Sequence, residues 1–487
     1  MGLASFYVPQ PERLTPETVR QCYMQGIEAI PWKSQNNFDG DQLTIRRSTT
    51  ESGNLFVPWT TRNRGKLTLS TTCLRESHEP YHLPIELARG TVGRLRNQVA
   101  AWQQLGLNVS DDVAKHVTEA TQALCLAATS REDNETSTEA SDDAIQHSLD
   151  AIELMMRQYS RFSLKRTGKR NIFLAANLGS RPGAQFPNEL LGAINTAVVP
   201  FAWNEIEGSS NEAAADCFAE QIRWCKKLGL RVCGGPLLNF GKNGLPDWLY
   251  LWEDDPEALE GYMLRYIENT VKEYSSKVTL WHAWSGLNDC QAMNLSEELR
   301  VRLAVASLET LRTHDSTTPV LVSFNQPFGE YMSRKSLDLA PIQYADTLIR
   351  AELGVSGFGL EINLGYWPDG TLPRDPLEIS RLVDRWSSLG LPLVLILTLP
   401  SSGLAEPSED RSIIAFGGQK CSFETQAKIA HEIVEVCLAK PAVQGVIWNQ
   451  LVDNDSAVYP NAGLFTSDVE PKPILEQLRL LREHYVS

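Results

Sequence analysis

At 487 residues the chain is too long for one small domain, and 42% hydrophobic with 22% charged residues supply a large core. A net charge of −15 argues against nucleic acid as a partner, because phosphate backbones are held by clustered Lys and Arg. No apolar run reaches the roughly 20 residues of a membrane helix, so no membrane partner is expected either. The start, Met1-Gly-Leu-Ala-Ser-Phe, lacks a basic stretch followed by an apolar one, so no signal peptide is read and a cytoplasmic location is expected. Nine cysteines without CxxC spacing read as buried, reduced thiols. Composition leaves the oligomeric state open.

In chain order, residues 1–82 come first, as a β-rich, sandwich-like module. Gln42-Leu-Thr-Ile-Arg, Leu55-Phe-Val-Pro-Trp and Lys66-Leu-Thr-Leu-Ser alternate with period two between Asn/Gly/Arg turn clusters, the pattern of antiparallel strands. Residues 83–168 read as a helical connector, with helices from Leu83, over 111–128 and over 142–163, and with 130–141 as an exposed polar loop. His78-Glu-Pro-Tyr-His82 matches a zinc-protease string, but Pro80 interrupts the helix that would bring both imidazoles to one face. The remaining histidines form no cluster along the chain, and no glycine-rich phosphate loop appears. No metal and no cofactor are therefore expected.

Residues 169–487 alternate strand and helix patterns eight times, the rhythm of a (β/α)8 TIM barrel. The predicted strands are 171–179, 195–203, 231–238, 278–286, 319–326, 355–364, 391–400 and 444–452. Strands buried on both faces become continuous Val/Ile/Leu runs, as in Leu391-Pro-Leu-Val-Leu-Ile-Leu-Thr-Leu. On this fold, function sits at the carboxyl ends of the strands. Those ends read Phe201-Ala-Trp-Asn-Glu-Ile-Glu, Leu238-Asn-Phe, Trp281-His-Ala-Trp-Ser-Gly-Leu-Asn-Asp, Phe324-Asn-Gln, Leu360-Glu-Ile-Asn-Leu-Gly-Tyr-Trp and Trp448-Asn-Gln-Leu-Val-Asp. Aromatic faces stack on sugar rings while amides and carboxylates bond hydroxyls, so a poly- or oligosaccharide is the expected partner. Candidate binding residues are Trp203, Asn239, Trp281, Trp284, Asn288, Gln326, Asn363, Trp367, Trp448 and Asn449.

The order of these pieces resembles glycoside hydrolase family ten, the xylanase-type barrels. The resemblance runs from Asn195 through the run Gly229-Leu-Arg-Val, Leu245-Pro-Asp-Trp-Leu, Tyr274 to Trp281, Gly357-Phe-Gly-Leu-Glu and Gly445-Val-Ile-Trp to Glu470-Pro-Lys-Pro. It implies a carbohydrate-active barrel. The family's strand four ends in an acid/base Glu where this chain has Gly286 after Ser285, and its strand-seven nucleophile aligns with Leu397. Gly235, Phe240 and Asn363 stand where the family has histidines. The family's retaining mechanism, with carboxyl groups about 5–5.5 Å apart, therefore does not carry over.

Other carboxylates are candidates to substitute. Glu361 at the end of strand six is the first candidate, with Glu205 or Asp289 as its partner; Glu207 and Asp453 also follow strands. Strands two and six oppose one another in an eight-stranded barrel, so Glu205 and Glu361 form a wide pair suited to an inverting arrangement. The alternative for Glu361 is an internal hydrogen bond to Asn325, Gln326 or Trp448. Two functions follow: a glycoside hydrolase-like protein using a non-standard carboxylate pair, or a catalytically inactive glycan-binding or interaction scaffold. The turn Trp367-Pro-Asp-Gly370 is expected on the rim, and 401–422 as a long loop over the mouth or as surface decoration.

Overall fold

The structure, a computed structural model, describes residues 2–181, 186–207, 212–404, 411–418, 420–454 and 457–487, without the side chains of 207 and 212–215. The expected barrel is present. Its eight strands are Phe173–Asn177, Thr196–Val199, Arg231–Gly234, Leu280–Ser285, Val320–Asn325, Gly357–Asn363, Leu393–Thr398 and Val443–Trp448. All neighbours pair in parallel, strand one lies against strand eight, and Cys233↔Leu280 with Gly234↔Trp281 joins strands three and four, so the sheet closes.

Two kinds of residue alternate along these strands. Ala175, Val198, Cys233, Leu321, Val394, Ile396 and Ile447 form an interior cluster of their own. The residues between them, such as Val322, Leu360, Leu397 and Trp448, join a larger cluster with the surrounding helices. Two glycines make room inside. A Cβ on Gly445 would stand 2.3 Å from the Phe173 ring, and one on Gly359 would stand 2.6 Å from the Ser323 Cβ.

Ahead of the barrel lie two small sheets. One has strand order Ser34–Asp39, Gln42–Arg47, Gly2–Tyr7 and Tyr81–His82; the other has Tyr23–Gln25, Asn54–Thr61 and Gly65–Ser70. Helices Leu83–Gln104, Asp111–Thr129 and Asn134–Thr167 follow. The third starts inside the stretch expected as a loop. The Asp133 carboxylate accepts a hydrogen bond from Thr136 N at 3.2 Å and caps it. Ser137, Thr138, Ala140 and Ser141 are buried, because small side chains let the helix pack closely despite their polar composition. Cys73 and Cys125 are exposed, in contrast to the buried thiols expected. Among the described residues, no helix is long and apolar enough to cross a membrane.

The loop after strand six ends in Arg374-Asp375 and ties these parts together. Arg374 is fully buried and donates from Nη2 to Glu330 Oε1 at 2.6 Å, after strand five, and to the Tyr23 hydroxyl of the N-terminal sheet. Its guanidinium lies 4.0 Å from the centre of the Phe328 ring. Asp375 Oδ1 caps helix Pro376–Ser387 by accepting from Leu377 N and Glu378 N, while Oδ2 pairs with Arg94 at 2.7 Å. Arg374→Ala strands a buried carboxylate and is expected to lower the free energy of unfolding by about 3–5 kcal/mol. Replacing both partners, Arg374→Met with Glu330→Leu, is expected to recover most of that loss. Urea unfolding followed by tryptophan fluorescence measures both.

Candidate functional site

At the carboxyl ends of the strands lies a pocket of about 200 Å³. Interior-facing side chains line it from below: Asn177, His282, Ser285, Asn325, Glu361 and Asn449. Loops complete it with Trp203, Asn239, Lys242, Gln291 and Tyr459. Glu361 sits at its base with only 8% of its surface exposed.

One oxygen of Glu361 is held in place. Ser285 Oγ donates to Oε1 at 2.7 Å, and Ser323 Oγ donates to the same atom. Ser323 spends its proton there, so its oxygen takes the Nε2 proton of His282, 2.7 Å away. Burial holds the His282 imidazole down at about 3, which keeps it neutral. The partners expected for Glu361 bond elsewhere: Asn325 Nδ2 and Gln326 Nε2 reach the Asp369 and Pro368 carbonyls, and Trp448 Nε1 reaches that of Ala462. Glu361 Oε2 has no hydrogen-bond partner among the described residues.

Burial raises the Glu361 carboxyl above its ordinary value, against the two serine hydroxyls that favour the anion. The Asp289 carboxylate adds a smaller push in the same direction.

The other predicted carboxylates have different surroundings. Asp289 is buried and committed: Oδ1 pairs with Lys335 Nζ at 2.5 Å, and Oδ2 accepts from Gln291 Nε2 at 2.6 Å. It does not line the pocket. Glu205, on the short helix Trp203–Glu207, lines a neighbouring cavity of about 460 Å³ that shares Asn177, Asn449, Val458 and Tyr459 with the first. The side chain of Glu207 is outside the described residues. Asp453 is paired with the buried Lys472 at 2.6 Å.

The predicted aromatic platforms are mostly turned away from the pocket. Trp281 faces the helices and donates from Nε1 to Asp315 Oδ2 at 3.0 Å. Trp284 packs edge-on against Phe324, and Trp448 bonds the Ala462 carbonyl. Trp367 lies under the Arg334 guanidinium at 4.1 Å. Only Trp203 among them lines the pocket, with its ring stacked on Tyr266 at 4.7 Å.

Of the predicted amides, Asn239 and Asn449 line the pocket. Asn363 and Gln326 do not line it: Asn363 Nδ2 donates to Asn325 Oδ1 at 3.2 Å, and Gln326 Nε2 donates to the Pro368 carbonyl. Asn288 is structural, bonding the Asn325 backbone and the Tyr331 hydroxyl. Strand seven presents Ile396 to the interior and Leu397 to the helices, so the inward position there is also apolar. Gly286 borders the pocket at φ +68°, with nothing nearer than 3.8 Å to a Cβ placed on it.

The rim turn is pinned over the mouth. The Asp369 carbonyl accepts from Gln291 Nε2, Asn325 Nδ2 and the Tyr459 hydroxyl at 3.1–3.2 Å. The Asp369 carboxylate pairs with Lys242 at 2.6 Å. Of the long segment 401–422, residues 405–410 and 419 are outside the described residues, while Ser412–Ile413 pairs with Tyr366–Trp367 beside the rim. Tyr459, His282, Ser285 and Ser323 were not among the sequence candidates. Period-two alternation points to His282 on strand four and Ser323 on strand five; Ser285 turns inward only through the register irregularity between His282 and Trp284, and Tyr459 comes from the loop after strand eight.

No protein-family model matches the chain, and no curated protein matches it. Solved structures resemble it. Xylanase 10B from Thermotoga maritima shares 15% identity over 67% of this chain and 98% of its own, with a TM-score of 0.47. Xylanase 10B from Thermotoga petrophila RKU-1, in complex with xylobiose, shares 16% over 67% and 97%, with a TM-score of 0.46. Xylanase B from Clostridium stercorarium F9 shares 14% over 65% and 98%, also with a TM-score of 0.46. The barrel assignment rests on the strand topology itself.

The Glu361 carboxyl gives a pH test. Folding raises it, so its contribution to stability is fully present at low pH and is lost as pH rises past the ordinary value of 4.5 and through the folded one. Glu361→Gln keeps the shape and removes the titration. The thermal midpoint of this variant relative to the parent is expected to climb across a pH window that opens at the ordinary 4.5 and extends above it. A scanning-fluorimetry series across that window reads the difference; a constant offset contradicts the raised carboxyl.

Proposed function

We propose that the strand-end pocket binds a neutral sugar unit of an oligo- or polysaccharide and holds it without cleaving it. One observation carries this reading: among the described residues lining the pocket, Glu361 is the sole carboxylate, set among the amides of Asn177, Asn239, Asn325, Asn449 and Gln291. Amides both donate and accept, so they match hydroxyl groups that do the same. Glycoside hydrolysis by either stereochemical course uses two carboxyl groups on opposite sides of the bond. Asp289 is tied to Lys335, and Glu205 belongs to the neighbouring cavity. The volume, below the roughly 300–1,000 Å³ of sites that enclose drug-sized ligands, suits a single ring.

A second reading, hydrolysis with Glu361 as general acid, draws on its burial, which favours the protonated form that an acid catalyst needs. Glu205 would then supply the second carboxylate through the shared wall of the two cavities.

Calorimetry against a panel of β-glycan oligosaccharides, with reducing-sugar release followed in parallel, separates the two. Binding without sugar release is expected. Glu361→Gln is expected to weaken binding about 10- to 100-fold, as the loss of a hydrogen bond to a charged group does. Sugar release abolished by Glu361→Gln supports the second reading. An absence of both binding and release removes carbohydrate from consideration.

A further inference from the structure

Outside the two strand-end cavities, the helix hairpin carries a cluster that the carbohydrate reading does not use. His116 and Glu119 lie three residues apart on helix Asp111–Thr129, and His147 and Asp150 have the same spacing on helix Asn134–Thr167. That spacing puts each pair on one helix face. The two faces meet. His116 Nδ1 is 3.2 Å from His147 Nδ1, and Glu119 Oε2 is 3.5 Å from the first nitrogen and 3.3 Å from the second.

Hydrogen bonding alone accounts poorly for this triangle. If both Nδ1 atoms carry protons, two donors face each other at 3.2 Å. If one lacks its proton, its lone pair faces a carboxylate oxygen. A single cation at the centre satisfies all three lone pairs. The dimensions agree: ligand bonds of about 2.0–2.2 Å in a tetrahedral zinc site set the ligand atoms about 3.3–3.6 Å apart.

We propose that His116, Glu119 and His147 bind a divalent transition metal, zinc being the best match, and that the ion staples the two helices of the hairpin. Two imidazoles with one carboxylate favour zinc over calcium or magnesium, which take oxygen ligands. The fourth vertex goes to a water. Asp150, with a donor oxygen within 4.8 Å of ligand atoms of both histidines, is oriented by Arg64 at 2.7 Å and by Gln146, and it accepts a hydrogen bond from that water. The three ligand side chains are 27–33% exposed, so an ion can enter from solvent.

The test is titration of the chelator-stripped full chain with zinc by calorimetry and with cobalt by visible absorption. One equivalent is expected to bind with micromolar or tighter affinity, with a tetrahedral cobalt spectrum lacking a thiolate charge-transfer band and a rise in the thermal midpoint on adding zinc. His116→Ala and His147→Ala are each expected to weaken binding about 100-fold or more, since even outer partners of a metal site are worth 10–100-fold. Glu119→Gln, nearly identical in shape, gives a second measure with circular dichroism confirming the fold. The proposal is overturned by a lack of saturable binding up to about 1 mM zinc, by unchanged affinity in the histidine variants, or by a thiolate band placing the metal on cysteine.

Discussion

Arg374 and Asp375 form the point on which the arrangement of this molecule depends. A guanidinium taken out of water is tolerable only when countercharge and hydrogen bonds surround it. Glu330, the Tyr23 hydroxyl and the Phe328 ring supply that environment from three separate stretches of chain. The adjacent Asp375 begins a barrel helix and pairs with Arg94 of the connector. The N-terminal sheet, the first long helix and the loops after strands five and six are thus fixed at two consecutive residues. Those loops carry the rim turn, whose Asp369 carbonyl gathers Gln291, Asn325 and Tyr459 over the pocket. The N-terminal region thereby reaches the mouth indirectly, through the backbone between Asp369 and Arg374.

Within the barrel, the alternation of interior and helix-facing residues decides what the pocket can be. Apolar residues fill the lower interior, and amides and hydroxyls form the layer above. Gly359 leaves room for Ser323, which in turn holds Glu361 and accepts from His282. The carboxyl is oriented by neutral groups on one oxygen and left open on the other. That arrangement suits a fixed acceptor for a ligand hydroxyl.

The eight strands were legible because burial on both faces leaves short apolar runs without the polar alternation of a surface strand, repeated in alternation with helical patterns. The same burial concealed which way each residue points. Trp281, Trp284 and Trp448 stand at strand ends, as expected, yet their rings belong to the layer between strands and helices. Strand four adds a register irregularity between His282 and Trp284 that simple alternation does not anticipate. Polar composition misled over 130–141, where small residues form a buried helix face and Asp133 starts the helix. Tyr459 and the His116–His147 pair depend on segments brought together only by the fold, and nothing local in the sequence announces them.

The layer of amides at the mouth has one further consequence. Asn177, Asn239, Asn325 and Asn449 carry no net charge, and the nearby Lys242 and Asp369 neutralise each other. Salt screens interactions between charges, not those between amides and hydroxyl groups. On the proposed reading, the amide contacts to an uncharged ligand at this mouth are little affected by ionic strength, although the chain carries a net charge of −15.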